Sequence, residues 1–237
     1  MKALILAAGL GTRLAPITDE HPKCMTEVID GKTIIQNQIE NLRACGIDDI
    51  TVITGYKSNL LENYINSLYS DINFIESINY NSTNNMYSAF LAKDVIKNSE
   101  FLMMNADVFF DVSALKTLID FEAADAIVVD IGTYIEESMK VVELDGKLIQ
   151  ISKEITPDKA LGSSIDIYKF STKGGRAFFN KCDEYINIKK ELKLWSEVAL
   201  NDILKECNFK ACPLKGRWYE IDTHEDLDKA RILFKRK

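Results

Sequence analysis

What most restricts this chain is a strand-length apolar run at residues 2–8 that empties into Gly9-Leu10-Gly11-Thr12-Arg13, followed by Pro16, Thr18 and Pro22-Lys23. An unbroken apolar run of this length reads as a strand buried on both faces of a parallel sheet. Ligands of open α/β sheets sit beyond the carboxyl ends of the strands, which is where this loop lies. Gly9 and Gly11 carry no Cβ, so their N–H groups can approach a phosphate closely. Arg13 adds a planar fork for two phosphate oxygens and Lys23 a point charge. A Walker A loop is absent, and the dinucleotide fingerprint fails because Leu14 stands where its third glycine belongs. Gly-x-Gly alone is equally a tight strand-to-loop turn. Arg13 and Pro22-Lys23 at these spacings turn the reading toward a phosphate-bearing ligand.

The first half alternates strand and helix periods. Thr33 opens a helix with Ile34, Ile35, Ile39, Leu42 and Cys45 apolar and Gly46 as its C′ residue. Strands follow at 50–53, 74–78 and 101–105. Between them, Ser58 caps a helix carrying Leu61, Tyr64, Ile65 and Leu68, and residues 86–96 form another helix. This order predicts an α/β, Rossmann-like, mainly parallel mixed sheet flanked by helices, with right-handed crossovers. The second half differs. Residues 139–144 and 147–152 alternate around Asp145-Gly146, a pair suited to a type I′ hairpin turn. A strand at 163–170 and helices at 173–186 and 195–207 follow, and Thr223 with Asp226 forms a weakened capping box for the last helix. The expectation is one domain over residues 1–237, with a small hairpin lobe around 134–170.

Of the 237 residues 46% are hydrophobic and 27% charged, which excludes wholesale disorder. The formal charge of −7 argues against a nucleic-acid partner, and no run is long enough to span a membrane. Five cysteines without a C-x-x-C pair point to reduced thiols and a cytoplasmic protein. Cys24 has no adjacent base, so a thiolate nucleophile is not expected. His21 and His224 need no catalytic role.

The string LAAGLGTRLAPIT…HPKCMTEV resembles the amino-terminal signature of the nucleotidyltransferase family, which includes sugar-1-phosphate nucleotidylyltransferases and small-metabolite cytidylyltransferases. Later segments fit as well. Asn105-Ala106-Asp107 is similar to the family's metal-binding aspartate segment, Glu220-Ile221-Asp222-Thr223 to its second, and Lys153 falls where a substrate-phosphate lysine is usual. The base-reading Gln segment of the sugar branch is missing from residues 79–92. Asn84-Asn85-Met86-Tyr87-Ser88 and Trp218-Tyr219-Glu220-Ile221-Asp222 instead resemble the phosphocholine cytidylyltransferase type, one member of which activates phosphorylated glutamine for capsule decoration.

The resemblance implies transfer of CMP from CTP to the phosphate of a small acceptor, with release of pyrophosphate. Phosphorylated L-glutamine is the expected acceptor, with phosphocholine and then a sugar 1-phosphate as alternatives. Arg13 and Lys23 are expected to act on the triphosphate, Lys23 near the α-phosphate, and Asp107 and Asp222 to hold Mg²⁺. Gly11 and Thr12 belong to the nucleotide loop. Backbone groups of Leu6, Ala8 and Gly9, completed by the amide of Asn84 or Asn85, are expected to read the base. An amide can turn to suit cytosine or uracil, so the CTP preference comes from the resemblance. Lys153, Asp166, Trp195 and Glu197 are assigned to the acceptor, and Arg217 is a candidate cation for an amino-acid carboxylate. A homodimer is allowed, since members of this type commonly dimerise.

Overall fold

The computed structural model describes residues 1–96 and 98–235. In chain order the first half holds β1 (Lys2–Leu6), α1 (Ile17–Glu20), β2 (Glu27–Ile29), β3 (Lys32–Thr33), α2 (Ile34–Arg43), β4 (Ile50–Thr54), α3 (Ser58–Leu68) and β5 (Asn73–Glu76). Then come α4 (Asn85–Leu91), α5 (Lys93–Ile96), β6 (Phe101–Asn105), β7 (Val108–Phe110), α6 (Val112–Asp120) and β8 (Asp125–Ile131). The second half holds β9 (Lys140–Leu144), β10 (Lys147–Ser152), β11 (Gly162–Phe170), α7 (Thr172–Asp183), α8 (Ser196–Ile203), β12 (Phe209–Pro213), β13 (Trp218–Glu220) and α9 (His224–Phe234).

The main sheet runs β10-β9-β11-β6-β1-β4-β5, with β8 and β12 joined beside β11. Its β6-β1-β4-β5 part is parallel, whereas β11 runs antiparallel to β6, β8 and β9. The Rossmann-like mixed sheet expected from the residue pattern is therefore present. Successive side chains of β1 part to opposite faces: Leu4 and Leu6 join one core and Ala3 and Ile5 the other. Burial on both faces is why the run has no polar alternation, and each large side chain so buried contributes about 1.5–3 kcal/mol. Asp145 and Gly146 both take positive φ, as a type I′ turn requires. The hairpin they close extends the main sheet, because β9 pairs with β11.

Several element ends differ from expectation. Lys57, in the left-handed region, precedes α3, and Ser58 gives its hydroxyl to Glu76 Oε1 at 2.8 Å instead of capping. The helix expected over 86–96 breaks at Ala92, whose N–H turns to the carbonyls of Ala89 and Phe90. Its first part is capped by Asn84, whose Oδ1 accepts from the Asn85 N–H. Helix α7 stops at Asp183 and passes into a π turn over Glu184–Ile188, and α8 is shorter at both ends than residues 195–207. The capping box of α9 forms as expected.

Candidate active site

Beyond the carboxyl ends of β1 and β6 lies a cleft of about 360 Å³. Of the candidate site residues named from the sequence, all but Arg217 line it: Leu6, Ala8, Gly9, Gly11, Thr12, Arg13, Lys23, Asn84, Asn85, Asp107, Lys153, Asp166, Trp195, Glu197 and Asp222. Two glycines make its floor and loop possible. Gly11 has φ +63°, and a Cβ there would lie 2.8 Å from Lys23 Cβ. At Gly55 a Cβ would meet Ala8 Cβ and its carbonyl oxygen at 2.8 Å. Among the described residues, no hydrogen bond takes up the N–H of Ala8, Gly9, Leu10 or Gly11. These are donors available to an anion.

At one end of the cleft, Lys23 Nζ donates to Asp107 Oδ2 at 3.0 Å and to Asp222 Oδ1 at 2.7 Å. Arg13 Nη2 meets the other oxygen of Asp222 at 2.8 Å. Burial works against the Lys23 charge, but the two carboxylates outweigh it and hold the ammonium well above its ordinary pKa. Burial likewise opposes the charge of Asp222, and Lys23 overrides it, so that carboxyl is held below its usual range. The two aspartates are brought together by strand pairing. β13 runs antiparallel to β7, and the Ile221 N–H extends the ladder to the Asp107 carbonyl at 2.9 Å.

Three amides of α2 fix the segment that carries Asp107. Gln38 Nε2 donates to the carbonyls of Asn105 and Val108, both at 2.9 Å. Asn41 Nδ2 donates to the Phe110 carbonyl at 2.8 Å, and Asn37 Oδ1 accepts from the Phe110 N–H at 3.2 Å. Gln38 is wholly buried, so these bonds form away from water, where leaving a carbonyl unmet is costly.

Glu220, which sequence reasoning leaves unassigned, also enters the cleft. It accepts from Ser138 Oγ at 3.0 Å, and one oxygen from each of Asp107, Glu220 and Asp222 lies within 4.8 Å of the others. Burial, then the charges of Asp107 and Asp222, push its carboxyl up to about 7. The available signal is the period of the strand: residues 220 and 222 are two apart and share a face. Asp107 Oδ1 is buried with no hydrogen-bond partner among the described residues.

At the other end, Asp166 sits with φ +57° where β11 slips register against β8 between Ser164 and Tyr168. Its Oδ2 accepts from Asn105 Nδ2 at 3.0 Å, and its Oδ1 from the hydroxyl of Tyr168 at 2.9 Å. The same hydroxyl lies 2.8 Å from Glu197 Oε1. Burial and the neighbouring Glu197 push the Asp166 carboxyl well above its usual range, and burial raises Glu197 too. Lys153 Nζ stands 5.1 Å from the centre of the half-exposed Trp195 ring.

The asparagine amides are engaged by protein. Asn84 caps α4 and donates to the Lys193 carbonyl at 3.3 Å. Asn85 Oδ1 accepts from the Ser196 N–H at 2.8 Å, which docks the start of α8 on α4. Arg217 does not reach the cleft as a free cation. It forks onto Asp111, with Nε to Oδ2 at 2.9 Å and Nη2 to Oδ1 at 3.0 Å. Trp218 is buried, its Nε1 donating to Asp130 Oδ2 at 2.9 Å. His224 is exposed and bonds the Ala15 carbonyl at 2.7 Å. All five cysteines are free, and burial pushes the Cys24 thiol up to about 12. No helix among the described residues is long and apolar enough to cross a membrane.

Residues 2–145 match the family model described as nucleotidyl transferase. A CTP:phosphoglutamine cytidylyltransferase of Campylobacter jejuni is 32% identical over 250 residues, covering 96% of this chain and 98% of that protein. A choline-phosphate cytidylyltransferase of Streptococcus pneumoniae is 42% identical over 99 residues, 42% of either chain. Among solved structures, the CTP:phosphocholine cytidylyltransferase from Streptococcus pneumoniae aligns with a TM-score of 0.79 at 26% identity, covering 99% of both chains. The inositol-1-phosphate CTP transferase from T. maritima aligns at 0.81 with 20% identity over 98% of this chain and 94% of that one, a likeness of fold.

Proposed function

The chain belongs to the nucleotidyl transferase family, and from that premise we propose that it transfers a cytidylyl group from CTP to the phosphate of phosphorylated L-glutamine. The observation that carries the reading is the convergence of Arg13, Lys23, Asp107 and Asp222 from distant segments onto one end of the cleft. CTP and the glutamine acceptor are supported by likeness to the Campylobacter jejuni enzyme over nearly the whole chain.

In the reaction an acceptor phosphate oxygen attacks the α-phosphorus. The bond from that phosphorus to the bridging oxygen of the β-phosphate breaks, and pyrophosphate leaves with the electron pair. Both reactants are anions, so donors must offset their repulsion; about 2.7–4 kcal/mol per well-placed group is typical of such stabilisation. The free N–H groups of the 8–11 loop and the Arg13 fork bind the triphosphate. Lys23 serves the α-phosphate, whose oxygens crowd and gain charge as the new bond forms.

Asp107 and Asp222, with Glu220 beside them, suit a divalent cation such as Mg²⁺, which prefers hard oxygen ligands. The unmet Asp107 Oδ1 supports that fit. Bound there, the ion would neutralise phosphate charge and help align the two phosphates. Lys153 and the Asp166 end of the cleft receive the acceptor.

The likeness to the Streptococcus pneumoniae enzymes favours phosphocholine as a second reading. The test is CTP and Mg²⁺ with each acceptor at equal concentration, scored by pyrophosphate and product mass. CDP-glutamine forming fastest is expected. A CDP-choline or nucleotide-sugar product formed at least tenfold faster overturns the acceptor assignment.

A further inference from the structure

The glycine loop is tied down at both ends, and one residue that does not line the cleft holds both ties. Tyr56 stands in the turn between β4 and α3. Its backbone N–H donates to the Ala8 carbonyl at 3.1 Å, at the start of the loop. Its hydroxyl donates to the Thr18 carbonyl at 2.9 Å, beyond the loop's end. Thr18 is 2% exposed, and its own hydroxyl reaches back to the Gly11 carbonyl at 3.0 Å. Next to Tyr56, Lys57 takes a left-handed conformation at φ +50° and donates from Nζ to the carbonyls of Asp19 at 2.5 Å and Glu20 at 3.2 Å. A residue other than glycine keeps such a conformation only where its surroundings impose it. Tyr80, which lines the cleft, packs edge-on against the Tyr56 ring with centroids 6.2 Å apart.

These ties fix directions as well as positions. In a trans peptide the C=O of one residue and the N–H of the next point opposite ways in one plane. An Ala8 carbonyl turned to Tyr56 therefore turns the Gly9 N–H away from it, and a Gly11 carbonyl turned to Thr18 does the same for the Thr12 N–H. Gly9 and Thr12 both line the cleft, and among the described residues no hydrogen bond takes up either N–H. Glycine leaves such peptide planes free to rotate unless they are held. Donors aimed in advance cost less to use than donors a ligand must order.

We propose that Tyr56 is a positioning residue for the triphosphate of the nucleotide: it holds both ends of the 8–18 loop and so aims the free N–H groups of Gly9 and Thr12 at phosphate oxygens. The inference rests on the nucleotidyl-transfer reading above and adds a residue that acts only through the loop. Loosening the ties should weaken ligands that carry a phosphate chain and spare the base and the acceptor.

Tyr56→Phe removes one hydroxyl and keeps the ring. Thr18→Val removes the other hydroxyl, keeps the branched shape and serves as the probe should Tyr56→Phe fail to fold. Calorimetric affinities for inorganic tripolyphosphate, CTP and cytidine, with Mg²⁺ present, are read beside the two Michaelis constants from pyrophosphate release. Each variant is expected to bind tripolyphosphate and CTP roughly three- to tenfold more weakly, the scale of one lost internal hydrogen bond, and to raise the CTP KM to match. Cytidine affinity and the acceptor KM should keep their wild-type values, a split that a loss of stability alone does not produce. Wild-type affinity for tripolyphosphate in both variants overturns the inference, as does an equal loss for tripolyphosphate and cytidine. A wild-type protein that binds no tripolyphosphate overturns it too. If the wild type binds tripolyphosphate but releases pyrophosphate with no acceptor, the transfer reading fails, and the ratio of tripolyphosphate to cytidine affinity still decides the role of Tyr56.

Discussion

At the nucleotide end of the cleft the carboxylates have their own cations: Lys23 bridges Asp107 and Asp222, and Arg13 holds the second oxygen of Asp222. At the other end the Tyr168 hydroxyl lies between Asp166 and Glu197, Asn105 donates to Asp166, and no salt bridge to either carboxyl occurs among the described residues. The first arrangement is charge-balanced before any ligand arrives, so binding there is an exchange. Phosphates draw Arg13 and Lys23 away only as another cation takes over the aspartates; otherwise partly buried carboxylates lose their partners. The second arrangement holds its carboxyls by hydrogen bonds and burial, with no ion pair to exchange. Nucleotide and metal should therefore bind together, whereas a ligand at the Asp166 end displaces no ion pair.

The harshest way to break this comparison is to remove a carboxylate from the balanced end. Asp107→Asn and Asp222→Asn are each expected to lower turnover about 10²–10³-fold, the scale of losing an electrostatic element of a transition-state site. Thermal melting should show the fold retained, and EDTA should abolish wild-type activity. Full activity in either variant, or with the chelator present, would remove the metal pair from the chemistry.

Removing the cation is the complementary test. Lys23→Ala should depress kcat more than it raises the CTP KM, by on the order of a hundredfold, because its charge counts most in the transition state. The same variant should bind Mn²⁺ more tightly without nucleotide, measured by electron paramagnetic resonance, since the aspartates no longer hold an ammonium. Equal Mn²⁺ affinity in wild type and variant would mean that no exchange takes place.

A third test reaches the balanced end from behind. Gln38→Ala leaves the buried carbonyls of Asn105 and Val108 without their donor, at a cost of about 1–3 kcal/mol per unmet group. Urea melts should show the loss. Turnover should fall more than acceptor binding, because the segment held by Gln38 carries Asp107.

The residues legible in the sequence are those whose reason is local or periodic. Strand β1 betrays itself by burial on both faces and the loop by its glycines together with Arg13 and Pro22-Lys23, whereas Asp107 and Asp222 stand out only through the resemblance of their segments to the family's, since either position alone reads as a turn or cap. What escapes depends on partners far along the chain. Ser58 has the right chemistry to cap α3, but Glu76 takes its hydroxyl. Arg217 has the charge an acceptor carboxylate would want, and Asp111 consumes it. Asn84 and Asn85 line the cleft, and their further work, capping α4 and docking the start of α8, depends on partners the local sequence does not announce. The polar residues Asn37, Gln38 and Asn41 break the apolar stripe of α2 for a reason visible only once Asp107's segment lies against them. Tyr168, in the sequence one of several aromatics past residue 150, matters because a bulge turns Asp166 to meet it.

The smallest effect concerns Cys24, whose thiol reports on the balance beside it. Burial is the main cause of its elevation to about 12; Lys23 pulls it down and Asp107 pushes it up, so the neighbouring ion pair partly cancels. An unfolded cysteine titrates near 8.5, so between about 8.5 and 12 the folded protein keeps a proton that the unfolded chain releases. Stability contributed by this group is thus present below pH 8.5 and is lost as pH rises through that window. Only the thiolate is alkylated readily. Iodoacetamide at pH 8 followed by peptide mass mapping should leave Cys24 unmodified in the native protein and modify it in denaturant. Asp107→Asn removes the negative member of the pair while Lys23 keeps its charge through Asp222. The thiol pKa should then fall, and alkylation of Cys24 should quicken in proportion to the thiolate present, about tenfold for a pKa lower by one. An unchanged rate in Asp107→Asn would show that burial alone sets this thiol and that the ion pair is not felt one residue away.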